Sequence, residues 1–347
     1  MSRAGPRWRR ALDACLSDPL RLPLSPRARR RAARAAARYP MRIPPQLAGR
    51  IDWSNPRCPV RRQLLPDPRE LAAGGAADPL DEERFSPAPG LVRRFGDRLL
   101  ALVSSSCPVL CRHCNRKRLW SRPERPADAE GLGRALAGSG RVREVILSGG
   151  EPLLLGDRAL AALLQAARSR PGVELVRIHS RAPVALPERI TPALARLLAR
   201  HGPLWFVTQV NCAAEIDPAV RRAFDRLRAA GVGLLNQATL LRGVNDSLRA
   251  QLALGRALVA AGVKPYYLFQ LDRAAGTLHF QVPLQRGLRI MARLRAGHSG
   301  LLVPHYMADL PGRGGKVELG PDAVLGLTAD GTWLRGADGR RHFYPDP

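Results

Sequence analysis

Between residues 98 and 270, short apolar runs alternate with stretches whose apolar positions recur every three or four residues. RLLALVSS (98–105), EVILSG (144–149), ELVRIHS (174–180), LWFVTQV (204–210), GLLNQAT (233–239) and KPYYLFQ (264–270) are strand-like. ALAALLQAARS (159–169), TPALARLLARHG (191–202), PAVRRAFDRLRAAG (218–231) and LRAQLALGRALVAAG (248–262) read as amphipathic helices. Strands alternating with helices predict βα units with right-handed crossovers and a parallel sheet. Six such units make either a curved partial barrel or a doubly wound sheet, and in both, function collects at the carboxyl ends of the strands. Residues 1–90 carry short helical stretches separated by breakers such as RLPLSP and YPMRIPP. They predict a helical N-terminal region packed on a main domain at 91–310, followed by a loop and tail at 311–347.

Residues with chemistry cluster where that architecture would put them. CPVLCRHC (107–114) follows the first strand and SGGEP (148–152) the second. HSR (179–181), VN (210–211) and NQ (236–237) follow the next three, and Asp272 lies just beyond the sixth. Packing alone does not ask for six polar strand tips on one rim.

The chain has six cysteines, and only Cys107, Cys111 and Cys114 are closely spaced. A structural zinc site wants four ligands, usually from two close pairs. Here Cys15, Cys58 and Cys212 each stand alone. His113 could complete a small metal knuckle, although its adjacency to Cys114 makes tetrahedral closure awkward. The spacing does not resemble a disulfide framework. Three thiolates on a four-iron cubane leave one iron open, which suits catalysis and not a structural role.

Composition adds bounds. At 347 residues with 45% apolar content, the chain can bury a large core. Neither a signal-peptide core nor a membrane-length apolar run is present, so cytoplasm is the expected location. The formal charge of +27 invites a nucleic-acid reading. Yet lysine occurs only at Lys117, Lys264 and Lys316, and arginine is dispersed with alanine, glycine and proline, as a GC-rich coding bias would leave it. The one concentration, RARRRAARAAARYP (27–40), reads as a solvated helix or a basic arm for acidic partners. No nucleic-acid module accompanies it.

CPVLCRHC followed by SGGEP resembles the radical S-adenosylmethionine superfamily, with its partial (β/α)6 barrel. The resemblance implies that Cys107, Cys111 and Cys114 ligate a [4Fe–4S] cluster whose open iron is chelated by S-adenosylmethionine. Gly149 and Gly150 would let the backbone approach the methionine moiety, and Glu151 would face its ammonium. His113, Ser148, Ser180, Arg181, Asn236 and Gln237 are the further cofactor-binding positions implied. An electron donor such as flavodoxin or ferredoxin is implied as a partner, and a homo-oligomer is compatible. CRHCNRKR, SGGEPLLL, RIHSRAPVALPERITPAL, LLNQATLLRGVND, KPYYLFQLDRAAGTLHF and DLPGRGGK narrow the resemblance to the lysine 2,3-aminomutase family. It runs from about Pro59 to about Lys316.

That resemblance implies pyridoxal phosphate (PLP) joined to Lys316 of GRGGK, and an ε-amine can form an imine where a guanidinium cannot. Arg94 and Arg98 would lie near the cofactor phosphate. Arg116 would pair with the α-carboxylate of an amino-acid substrate, and Asp272 and Asp309 with the ε-ammonium of lysine. The implied reaction is conversion of L-lysine to β-lysine. Departures exist: Asn211 is followed by Cys212 and Ala213 instead of His-Pro, Arg313 interrupts the glycine-rich loop, and the tail lacks the cysteines that bind an intersubunit zinc in longer members. The short length leans toward the branch that makes β-lysine for elongation factor P, and Asp309 leans back toward free lysine. Rival readings are the same chemistry on arginine or another amino acid, and a basic RNA-binding protein with a structural cluster.

Overall fold

The computed structural model describes residues 6–320, 323–336 and 338–347. Residues 1–5 of the N-terminal region and 321, 322 and 337 of the tail lie outside the described residues. The first ninety residues form α1 (Arg7–Asp13), α2 (Pro26–Ala36), α3 (Pro45–Ala48) and α4 (Pro59–Leu64), joined by loops and single 3₁₀ turns. Thirteen strands and helices of the main body then follow, before the chain enters its last strands. They are β1 (Leu91–Phe95), β2 (Arg98–Leu102), α5 (Ala129–Ala137), β3 (Glu144–Ser148), α6 (Asp157–Arg168), β4 (Leu175–His179), α7 (Ala182–Ala185), α8 (Pro192–Arg200), β5 (Trp205–Thr208), α9 (Pro218–Ala229), β6 (Gly233–Thr239), α10 (Leu248–Ala260) and β7 (Lys264–Phe269). The remainder is α11 (Leu284–Gly297), β8 (His305–Leu310), β9 (Gly315–Glu318), β10 (Val324–Leu327), β11 (Gly331–Arg335) and β12 (Arg341–Pro345).

Local chemistry explains the helix starts. Ser25, Thr191 and Asp217 each accept a backbone N–H with the side chain, and each is followed by proline, whose fixed φ suits the first helical position. Strands β1 to β9 form one sheet in sequence order. From β2 to β8 every neighbour is parallel, and β1 and β9 are antiparallel edges. The sheet curls into a nearly closed barrel: Arg94 on β1 donates across the gap to the carbonyl of Leu310 at the end of β8, at 2.7 Å.

The six strands anticipated from the sequence are β2 to β7. The structure adds β8 as a seventh parallel strand, together with both antiparallel edges. HYMADL mixes polar and apolar positions too evenly to announce itself as a buried strand. The boundary drawn at residue 310 cuts the β8–β9 hairpin, so Lys316 belongs to the barrel sheet. Beyond it, β10 to β12 make a separate three-stranded sheet that the sequence did not suggest.

One buried carboxylate of the N-terminal region gathers several of its links to the barrel. Glu70, 1% exposed, accepts from Arg112 Nε at 2.9 Å, from Lys117 Nζ at 2.7 Å and from the backbone of Asp67. Arg112 also donates to the carbonyls of Tyr39 and Pro40. The RKR stretch after the third cysteine is therefore largely internal wiring. Among the described residues no helix is long and apolar enough to cross a membrane.

Candidate active site

Side chains alternate across a strand, and here the inward set lines one cavity. Val92 and Arg94, Arg98 and Leu100, Ile146 and Ser148, Arg177 and His179, Gln237 and Thr239, Tyr267 and Phe269 all face it in i, i+2 pairs. Cys107, Cys111, Cys114, His113, Asn115, Arg116, Gly149, Gly150, Glu151, Arg181, Asp272, Asp309 and Lys316 complete its rim and far wall. The centre of a water molecule can roam about 310 Å³ of it.

On one wall are the three thiols. Burial and mutual proximity push the Cys107 and Cys114 thiols up, Cys114 to about 11. Arg181, itself buried against Glu215 at 2.6 Å, donates to Cys111 Sγ at 2.6 Å. Three thiolates here need counter-charge, which that guanidinium supplies in part and an iron core would complete. Among the described residues no three Cys, His, Asp or Glu side chains close on a single ion. All three cysteines nonetheless face the same space, as a cubane requires and a zinc knuckle does not. His113 Nε2 contacts Asn211 Nδ2 at 3.2 Å, and burial depresses its basicity well below the usual range. A neutral ring then carries its proton on Nδ1, which has no partner.

The GGE turn packs differently from the sequence expectation. Gly149 adopts φ +116°, and a Cβ there would meet the carbonyl oxygen of Ser104 at 2.6 Å. Gly150 N–H donates to Ser104, and a Cβ on Gly150 would collide with Ser106. The glycines let the turn seat against the start of the cysteine loop, although both still face the cavity. Glu151 accepts from the backbone of Leu153 (3.0 Å) and Arg181 (2.9 Å). Burial raises its pKa to about 7 even so.

Two expected cofactor positions turn away. Ser180 Oγ accepts from Ala182 N, and Asn236 is fully spent on both backbone groups of Val210. Neither lines the cavity. The reason is strand parity: Gln237 and His179 are inward, so their neighbours Asn236 and Ser180 cannot be.

The opposite wall carries Lys316. Its partner across the β8–β9 ladder is Asp309, and Nζ lies 3.1 Å from Asp309 Oδ2. Burial lowers the Lys316 pKa, and Asp309 opposes that. The ammonium also sits over the Phe269 and Tyr267 rings, at 4.0 and 5.1 Å from their centroids. The hairpin turn that sets this register needs Gly312 and Gly315, at φ +59° and +66°. Asp272 accepts from Asn115 Nδ2 at 2.9 Å, and burial with Asp309 nearby raises its pKa to about 7.

Arg116 is held by Glu82, which accepts from Nε at 2.8 Å and Nη2 at 2.6 Å. Burial disfavours the Arg116 charge, yet Glu82 outweighs it and the pKa is raised. That fork uses the side edge of the guanidinium, leaving Nη1 for a second carboxylate. Arg94 is anchored to the hairpin while its buried Nε has no partner. Arg98 is bound to Asp97 at 3.0 Å and lies 3.6 Å from Glu144, at the floor formed by the strand starts. Sequence reading missed Glu82, Asn115, Arg177 and Tyr267, and named His179 only as part of a strand tip without a role. Arg177 and His179 had a signal, two polar residues spaced by two inside an apolar strand. Lys117 and Lys264 are occupied elsewhere, the first on Glu70 and the second on the carbonyls of Gly300 and Leu301. Cys212 is buried beside Gln63 and Glu215.

A parallel barrel whose first long loop carries three thiols into its mouth, backed by a GGE turn, defines a radical S-adenosylmethionine protein, and the pattern of the Radical SAM superfamily matches residues 102–253. The cluster and S-adenosylmethionine come with that class. More narrowly, the chain belongs to the lysine 2,3-aminomutase family, a family of isomerases. It is 39% identical over 312 residues to the L-lysine 2,3-aminomutase of Fusobacterium nucleatum, covering 88% of this chain and 73% of the relative. To that of Clostridium subterminale it is 40% identical over 312 residues, covering 88% and 75%. To that of Acetoanaerobium sticklandii it is 38% identical over 331 residues, covering 94% and 80%.

Proposed function

We propose that the protein converts L-lysine to β-lysine and uses PLP in addition to the cluster and S-adenosylmethionine. The observation that carries this reading is the polarity of one cavity: Lys316 with two carboxylates on one wall, a half-engaged arginine between, three thiols opposite. When bound, the cluster and S-adenosylmethionine supply a carbon radical able to take hydrogen from the substrate, and PLP supplies a π-system across which nitrogen can shift.

The residues do the rest. Cys107, Cys111 and Cys114 hold three irons, and Glu151 offers its carboxylate to a cationic amino group. Lys316, whose burial favours the neutral amine, is the nucleophile that anchors PLP. The unpaired Nε of Arg94 suits its phosphate. Arg98, already neutralised by Asp97 and Glu144, is the weaker phosphate partner. Arg116 binds the substrate α-carboxylate through its free edge. Asp272 and Asp309 receive the distal ammonium, two carboxylates that favour a cationic side chain over an acidic one. Barrel walls of Leu100, Ile146 and Phe269 exclude water from reactive species.

The test is anaerobic incubation of the iron-, PLP- and S-adenosylmethionine-loaded enzyme with isotopically labelled lysine, followed by chromatographic separation of α- and β-lysine. Accumulation of β-lysine is expected. Turnover of arginine in place of lysine would reassign the substrate, and turnover of neither would reject the reading.

A further inference from the structure

Segment 19–51 contains nine arginines and no acidic residue. Helix α2 orders four of them into a stripe, Arg27, Arg30, Arg31 and Arg34, that Arg38 extends two residues past its end; all five are exposed, while Ala32 and Ala35 face the core. Among the described residues no carboxylate lies within 4 Å of any of the five, whereas elsewhere arginines such as Arg112, Arg116, Arg118, Arg177, Arg181 and Arg189 are ion-paired. Arginines without an ion pair occur on other helices too, such as Arg222, Arg249 and Arg256, and coding bias explains those; what sets α2 apart is five of them on one line in a segment with no acidic residue. Like charges at i, i+3 and i+4 weaken a helix, and the first turn has no acidic residue to complement the dipole. The stripe therefore costs local stability with nothing inside the chain to offset it.

Its position gives it a use. The chain leaving α2 runs along the outside of the cysteine loop: Leu110 N–H donates to the Arg42 carbonyl at 3.0 Å, and Arg112 is bonded to Tyr39 and Pro40. Arg42, exposed, donates through Nη1 to the carbonyl of Cys107 at 3.0 Å. The stripe thus continues through Arg42 to the back of a cysteine whose front faces the cavity.

We infer that the α2 stripe with Arg42 is the docking surface for an acidic one-electron carrier protein that reduces the cluster from outside the barrel. The inference rests on the cluster reading above. In each encounter one electron leaves the reduced carrier and enters the cluster, taking [4Fe–4S]²⁺ to [4Fe–4S]⁺; the carrier ends one electron more oxidised, and no bond or proton moves. Unpaired guanidinium groups on a convex helix steer an acidic partner without committing to one side-chain geometry, which suits a transient complex.

The test compares the wild type with Arg30→Glu/Arg31→Glu/Arg34→Glu, and with a control carrying the same charge change on the outer helices, Arg222→Glu/Arg249→Glu/Arg256→Glu. Those three are also exposed. Calorimetry with an acidic flavodoxin gives affinity and its salt dependence. Stopped-flow bleaching of the cluster gives reduction rates by reduced flavodoxin and by dithionite. The stripe variant should lose about tenfold or more in flavodoxin affinity and reduction rate, with a flattened salt dependence. Its dithionite rate, circular dichroism and iron content should match wild type, and the control should lose little. Equal losses in both variants, or unchanged flavodoxin binding in the stripe variant, would overturn the inference. Failure of the cluster reading is separate: dithionite would then bleach nothing in any variant, while calorimetry would still report on the stripe.

Discussion

Replacing Asp309 separates its two neighbours, because the same carboxylate faces Lys316 and the site assigned to the substrate ammonium. At 3.1 Å from Nζ, its attraction for a unit positive charge is about 5 kcal/mol at an effective dielectric of ~20. Losing one partner of such a buried pair costs about 3–5 kcal/mol, and each ~1.36 kcal/mol is about tenfold in rate. Asp309→Ala should therefore lower kcat/KM for lysine by roughly two to four orders of magnitude. The effect on Lys316 runs the other way. Burial already lowers its pKa and Asp309 opposes that, so the variant amine becomes neutral at lower pH. PLP attachment, followed by absorbance across a pH series, should begin earlier and not fail. Asp272→Ala should cost a similar amount in kcat/KM, and the double variant less than the sum, since both carboxylates act on one ammonium. The assay is anaerobic turnover of labelled lysine. Near-wild-type kcat/KM in both single variants would refute the substrate assignment. Loss of PLP attachment in Asp309→Ala would instead tie that residue to the cofactor.

Four further outcomes are expected. Alanine at Cys107, Cys111 or Cys114 should abolish the roughly four irons per chain that one cubane requires, whereas alanine at Cys15, Cys58 or Cys212 should retain them in an anaerobic iron assay. Borohydride treatment of PLP-loaded protein should fix the label on the peptide bearing Lys316 and leave Lys117 and Lys264 free, as mass spectrometry would show. Glu82→Gln should lower the unfolding free energy by about 3 kcal/mol in denaturant titration and raise KM more than it lowers kcat, because Glu82 orients Arg116 without touching the reacting atoms. Asp272, raised from 3.8 to about 7 chiefly by burial, holds its proton in the folded protein after the unfolded chain has lost it. Its contribution to stability therefore falls as pH rises from about 4 to 7, and lysine affinity should climb between pH 6 and 8 as the carboxylate ionises, a trend Asp272→Asn should flatten in calorimetry.

The parts of this site that could be read from the sequence are those set by chemical type and close spacing. Three thiols within eight residues, GGE one βα unit later, and a lone lysine in a glycine-rich turn need no tertiary information. Strand parity was legible in principle: in ELVRIHS the period of two puts Arg177 and His179 on one face and Ser180 on the other. The motif-level reading took the adjacent residues together and so kept Ser180 and Asn236, which the barrel turns away. What could not be read was pairing across distance. Glu82 stands in DPLDEER, a polar loop with no periodicity, and only the fold brings it to Arg116. Glu70 likewise gathers Arg112 and Lys117 from more than forty residues away. A charged residue announces its need for a partner without naming one.

The same asymmetry explains why the arginine-rich helix resisted assignment. As a string, RARRRAARAAARYP is indistinguishable from any solvated basic helix in an arginine-biased chain. In the structure its distinction is relational: charge left unpaired along one exposed line, on a segment bonded to the back of the cysteine loop. Burial forces the interior arginines to find carboxylates, because an unpaired charge there costs several kcal/mol. Solvent removes that pressure at the surface, so an unpaired arginine alone says little. Five along one line with no intervening acid, four of them in a helix they destabilise, say more. Whatever keeps them must act outside the chain, and the neighbouring site requires an electron from outside the chain.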